Sequence, residues 1–253
     1  MIRLISDVHG AVDALRRVAP GDSPLLILGD LINFIDYRNN EGIVSDVAGR
    51  EFVDEVVRLR SAGDFTSAGE LWRAHSKGRE DEYRALYADA IAAAYVAICE
   101  PLEGVEVYVT YGNVDNPGIM QEYLPESATF IEAGTLEIDG QLIGIVGGGV
   151  PTINSPGEIG DDVMAERLES IGPVDILCTH VAPAVEPLAA DVVGGRAKGS
   201  PAVLDYIKRH QPARHFFGDI HQPQAVTWAI GVTRCVNVGY FRATGRVFFY
   251  RAG

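Results

Sequence analysis

Five polar clusters stand out along the chain: Asp7-Val8-His9, Gly29-Asp30, Gly112-Asn113-Val114-Asp115, Thr179-His180 and Gly218-Asp219-Ile220-His221. In the first and last, Asp and His stand two residues apart. In extended backbone that period turns both side chains the same way, so each pair could grip one ion from one side. Carboxylate, imidazole and amide donors together suit a divalent ion of intermediate hardness such as Mn²⁺, Fe²⁺ or Zn²⁺, because oxygen-only cages favour Mg²⁺ or Ca²⁺ and thiolate cages favour soft ions. Seven donors, namely Asp7, His9, Asp30, Asn113, His180, Asp219 and His221, are too many for one tetrahedral centre and match two ions that share a bridging carboxylate.

The elements that must deliver these residues are short apolar runs. Residues 2–6, 25–28, 105–109, 176–178 and 215–217 each lead into one of the clusters, and their unbroken hydrophobicity is that of strands buried on both faces. Open α/β sheets place ligand sites outside the carboxyl ends of their strands, so five such ends can converge on one crevice. A helix carrying Val12, Leu15 and Val18 follows the first run, and a hairpin is expected at 135–138 and 142–146 around Asp139-Gly140. Helices are expected at 161–171 and at 201–210, the second with Ser200 as N-cap and Pro201 at its first position. Strands at 225–230, 233–238 and 246–250 close the chain.

Between the second and third runs, residues 39–100 change to helical periodicity. Phe52, Val53, Val56 and Val57 form one stripe; Ala68, Leu71, Trp72 and His75 form another, opened by a capping box of Ser67 and Glu70. A third stripe runs through Tyr83, Leu86, Tyr87, Ala90, Ile91, Ala94, Tyr95 and Ile98 until Pro101 stops it. These residues read as a helical insertion, or cap, on an α/β core: a substrate-selecting lid, a surface for homo-oligomer formation, or plain packing.

Across all 253 residues, 47% are hydrophobic and 22% charged, which is enough to fill a core and excludes disorder as the main state. The formal charge of −14 repels polyanions, so nucleic acid polymers and anionic membrane surfaces are not the expected partners. No uninterrupted apolar run approaches the roughly 20 residues of a membrane span. The start, Met1-Ile2-Arg3-Leu4-Ile5-Ser6-Asp7, does not read as a secretory signal. Cys99, Cys178 and Cys235 are odd in number, far apart and set among apolar residues, as buried thiols of a reducing compartment would be. A cytoplasmic protein is the expectation.

Taken in order, the clusters resemble the calcineurin-like metallophosphoesterase family, whose pattern runs D-x-H, G-D, G-N, H and G-H-x-H. Thr179-His180-Val181-Ala182-Pro183, Gly199-Ser200 ahead of a helix, Gln211-Pro212 and the closing Asn237-Val238-Gly239 are similar to the family's small prokaryotic predicted phosphoesterases. The resemblance covers most of the chain outside the insertion. It implies an α/β fold, a four-layer sandwich of two packed β-sheets flanked by helices, formed by residues 1–253 as one domain. It also implies that Asp7, His9 and His221 bind one metal, that Asn113, His180 and residue 219 bind a second, and that Asp30 bridges them. The implied reaction is hydrolysis of a phosphoric mono- or diester, with two ions, Mn²⁺ foremost and Fe²⁺, Zn²⁺ or Mg²⁺ as alternatives, lowering the pKa of a shared water and neutralising charge on the phosphoryl oxygens.

Two positions depart from the pattern. Asp219 stands where the family has the first histidine of G-H-x-H, and its extra negative charge should harden the second site toward Mn²⁺ or Mg²⁺. Val114 stands where many members carry a histidine thought to protonate the leaving group, and valine donates no proton. Other residues are weighed for roles around the ions. Asn33, Asp36 and Arg38 follow the bridging position; Arg196 and Lys198 lie in a glycine-rich loop suited to a substrate phosphate; His75 could reach the site from the cap. Asp115 reads as an orienting residue, and His210 and His215 as structural or exposed. The functional expectation is a phosphoesterase acting on a small phosphate ester; the competing reading is a metal-binding scaffold that keeps the fold with little or no turnover.

Overall fold

The computed structural model describes residues 1–152, 154–192 and 197–251. The first apolar runs become β1 (Ile2–Ile5) and β2 (Leu25–Leu28), with α1 (Val12–Val18) between them. The insertion folds as four helices: α2 (Ile43–Ala48), α3 (Arg50–Ser61), α4 (Phe65–Ser76) and α5 (Glu80–Cys99). Then come β3 (Val107–Thr110), α6 (Pro117–Tyr123), β4 (Ala128–Phe130), β5 (Ala133–Ile138), β6 (Gln141–Val146) and α7 (Asp161–Ile171). The remainder is β7 (Ile176–Thr179), β8 (Ala182–Pro183), α8 (Glu186–Ala189), β9 (Gly199–Ser200), α9 (Pro201–His210), β10 (Arg214–Phe217), β11 (Thr227–Ile230), β12 (Thr233–Asn237), α10 (Phe241–Thr244) and β13 (Phe248–Tyr250).

The strands assemble into a five-stranded sheet, β13-β1-β2-β3-β4, and a six-stranded sheet, β11-β12-β10-β7-β6-β5. β1, β2, β3 and β4 run parallel, as do β6, β7, β10 and β12, so the cluster-bearing ends of each sheet lie on one side. Alternation along the strands builds the layers. Leu4, Leu26 and Leu28 of the first sheet pack against Ile143, Ile145, Ile176, Cys178 and Phe216 of the second, while Ile5, Leu25, Ile27, Val107 and Val109 face helices. The second sheet turns Val146, Leu177, Phe217 and Cys235 toward α7 and α9. Helix, sheet, sheet, helix is the four-layer sandwich that the resemblance implied.

Several expected boundaries move, for local reasons. The strand expected from 105 starts at Val107 because the Val105 N–H donates to the Leu102 carbonyl in a turn. The Ser67/Glu70 capping box gives way to Asp64, whose carboxylate accepts from Ser67 N–H at 3.0 Å, so α4 begins earlier. Ser200 does cap α9, accepting from the Val203 N–H. By length and composition alone the stretch Glu80–Leu102 is apolar enough to cross a membrane. Its Tyr95, Ile98, Cys99 and Leu102 are instead committed to the layer over the first sheet.

Candidate metal centre

The clusters converge because loops at the strand ends are stitched to one another. The Asp7 N–H donates to the Gly29 carbonyl and the His9 N–H to the Asp30 carbonyl, holding the end of β1 against the end of β2. Across the two sheets, the Asp219 N–H donates to Asp7 Oδ2 at 3.1 Å. Asp7 and His9 do not share a direction through strand periodicity, because neither lies in extended backbone. Both residues, with Asp30 and Asp219, occupy the left-handed region, with φ of 57°, 42°, 56° and 62°. Turns aim these side chains, and Asp and His tolerate that conformation better than bulky residues do. Two glycines make the close approach feasible: a Cβ at Gly112 would collide with Asp30 and His180, and one at Gly218 with Ser6 and Asp7.

Six of the seven donors close on one another. His221 Nε2 lies 3.3 Å from both Asp7 Oδ1 and His9 Nε2. His180 Nε2 lies 3.3 Å from Asn113 Oδ1. Asp30 Oδ2 stands 3.5 Å from His9 Nε2 and 3.5 Å from His180 Nε2, between the two imidazoles. Asp7, His9 and His221 form one group of donor atoms able to hold a metal, and Asp7, Asp30 and His180 a second. Asp219 and His221 do not act as one pair: the Asp219 carboxylate turns to Lys198, whose Nζ is 3.4 Å away.

The donor chemistry fits divalent ions. His180 Nδ1–H donates to the Leu28 carbonyl at 2.8 Å and His9 Nδ1–H to the Ile32 carbonyl at 3.2 Å, which leaves each Nε2 lone pair facing the cluster, as metal-ligating histidines are held. Among the described residues, Asp7 Oδ1 and Asp219 Oδ2 are buried with no hydrogen-bond donor. Orphaned anionic oxygens beside converging imidazole nitrogens call for cations. The pKa shifts say the same. Burial opposes charging of His180, yet Asp30, Asp7 and Asp219 overcome it and raise the imidazole to about 9. Burial would raise the Asp7 carboxyl, but His221, His180 and His9 hold it well below the usual range.

Around the donors, Asp115 takes the orienting place that its sequence position suggested. It is fully buried and accepts N–H bonds from Asp30 (2.8 Å), Leu31 (3.0 Å) and Gly112 (3.0 Å), tying the ends of β2 and β3 together. Val114 contributes only backbone, its N–H donating to Asp30 Oδ1 at 3.0 Å. Asn33 is half-buried beside Gly10 and Gly42, and Asp36 accepts from Arg242. Arg38 lies over the Tyr240 ring, 4.8 Å from its centroid, and Tyr240 stacks face to face on His221 at 3.8 Å. His75 takes the packing alternative, stacked on Phe52 and facing Tyr83 inside the helical insertion. Arg196 lies outside the described residues.

Tyr240, Arg242 and the tie from Tyr95 to Asp115 belong to no motif in the sequence. The only pointer to Tyr240 was its place just after Asn237-Val238-Gly239.

The family described as calcineurin-like phosphoesterase matches residues 1–223, a span that holds all seven donors. The chain belongs to the calcineurin-like phosphoesterase family. No match to a curated protein is found. Among solved structures the chain is similar to one titled a novel archaeal phosphodiesterase, at 13% identity and a TM-score of 0.38, with 96% of this chain and 86% of that one covered. This calcineurin-like phosphoesterase has further residues beyond the family match: β11, β12 and β13 complete the two sheets, while Tyr240 stacks on His221 and Arg242 bonds the His9 carbonyl.

Proposed function

We propose that this chain hydrolyses a small phosphoric mono- or diester at a centre of two divalent ions, with Mn²⁺ as the preferred metal. One observation carries the reading: Asp30 Oδ2 is equidistant, at 3.5 Å, from an imidazole nitrogen of each donor group. When bound, two such ions supply Lewis acidity toward the phosphoryl oxygens and lower the pKa of a water between them. Asp7, His9 and His221 would hold the first ion, Asn113, His180 and Asp219 the second, and Asp30 both. Arg38 at the mouth of the site, stacked on Tyr240, and Lys198 beside Asp219 bring positive charge to where a phosphate ester would lie. Val114 leaves the leaving group without a protein proton donor at that position, so esters with good leaving groups should turn over best.

The test is Asp30→Asn. It keeps shape and removes the shared charge, so both metal content, read by elemental analysis, and hydrolysis of aryl phosphate mono- and diesters in Mn²⁺ should fall, turnover by about 10²-fold or more. Near-normal turnover with two metals retained would refute the shared-carboxylate centre. Metal uptake in the unaltered chain with no hydrolysis of any ester would favour the binding-scaffold reading instead.

A further inference from the structure

We propose that Lys198 is a tethered counter-cation of the second metal position, so that the two ions bind unequally and the second is held the more weakly. The inference rests on the two-ion reading above. Asp219 stands where the family pattern has histidine. Three buried carboxylates, Asp7, Asp30 and Asp219, thus face two dications and leave a single net positive charge; the Lys198 ammonium restores the second. Its partner is specific: Asp219 Oδ1 is 3.4 Å from Nζ, and among the described residues no other carboxylate lies within ion-pair distance of it. Asp219 Oδ2 remains buried and unpartnered, so one oxygen belongs to the lysine and one is left for a metal.

Lys198 is delivered by built structure. Its N–H donates to the Ala189 carbonyl at 2.9 Å, the next two residues form β9 against β8, and Ser200 Oγ donates to Asp161 at 2.6 Å. The Nζ is therefore held against Asp219, the one carboxylate within ion-pair distance of it among the described residues, and its charge reaches Asp30, Asp7 and His221 only from farther off. A fixed positive charge against one ligand opposes entry of a second dication, and does so chiefly where that ligand serves. An Asp–Lys pair in place of one histidine thus makes a centre that fills in two steps.

The experiment is Mn²⁺ titration of the full-length, chelator-stripped protein by calorimetry, with low-temperature electron paramagnetic resonance to read the spin-coupled pair. The expected result is two classes of site, with Lys198→Met and Lys198→Gln tightening the weaker class about tenfold or more and leaving the tighter one within about twofold. The coupled-pair spectrum then appears at lower Mn²⁺ in both variants, and Lys198→Arg, which keeps the charge, fills like the unaltered chain. Two ions bound in every variant with unchanged affinities would overturn the role of Lys198 while leaving the two-ion reading intact. A single ion in every variant would overturn both. One ion in the unaltered chain and two in Lys198→Met would support the inference.

Discussion

At the scale of single residues, the centre depends on backbone conformations that few side chains accept. Asp7, His9, Asp30 and Asp219 all sit at positive φ, and Asp30 stays there because Asp115 takes its N–H together with those of Leu31 and Gly112. Burial, with the charge of Asp30 adding to it, raises the Asp115 carboxyl to about 7. Asp115→Asn would turn an amide donor toward backbone N–H groups that need acceptors. A buried donor left facing a donor costs about 1–3 kcal/mol, and the loss should appear as a lower urea midpoint together with weaker Mn²⁺ binding. Asp115 is thus a positioning residue, and metal affinity separates that role from packing alone.

Elements contribute reach. α5 crosses the outer face of the first sheet and puts the Tyr95 hydroxyl at the base of the site, where it accepts from the Asn116 N–H at 2.7 Å and donates to Asp115 at 3.4 Å. Tyr95→Phe removes both bonds and orphans a buried N–H at the start of α6, so stability should fall by about 1–3 kcal/mol in denaturant unfolding. The insertion therefore ties into the centre through α5, while its other aromatic residues, Phe52, Trp72, His75 and Tyr83, pack on one another. At the opposite end of the chain, α10 serves the same purpose for β1: the Arg242 guanidinium donates to the His9 carbonyl at 2.6 Å and the Arg242 N–H to the Asp7 carbonyl at 3.0 Å.

The whole molecule sets its pH response through groups sealed between layers as well as through the centre. His215 is fully buried on β10, stacked on Phe217, and lies 2.8 Å from Thr179 Oγ1. The Thr179 hydroxyl donates to the Val181 carbonyl, so the His215 Nε2–H is the donor to Thr179 and Nδ1 is left buried and unpartnered. Burial lowers the pKa to about 3 from the ordinary 6.5. Between those values the unfolded chain carries a proton that the folded one refuses, so stability present above pH 6.5 is lost as pH falls toward 3. The slope is about 1.4 kcal/mol per pH unit. His215→Leu should show a shallower loss than the unaltered chain over pH 4–6, measured as urea midpoints in the presence of chelator. A parallel loss in the two would deny His215 the role.

Residue type and order alone determined much of this protein. Short, continuously apolar runs ending in polar residues read as strands buried on both faces whose ends gather at one side of a parallel sheet, so Asp7, His9, Asp30, Asn113, His180, Asp219 and His221 were readable as one constellation. Local chemistry also set the ends of α7 and α9, where spacing and the Ser200 cap act within a few residues. What the tertiary structure decided depends on contacts across long stretches of chain. Left-handed turns, rather than strand periodicity, aim Asp7 and His9, because the end of β1 is bonded to the end of β2. His75 goes to an aromatic cluster because α3, α4 and α5 pack together. Lys198 meets Asp219 from 21 residues away, and Tyr240 meets His221 only once β12 and β10 are side by side. No short-range pattern encodes those distances; pairing of strands within each sheet and packing among the helices do.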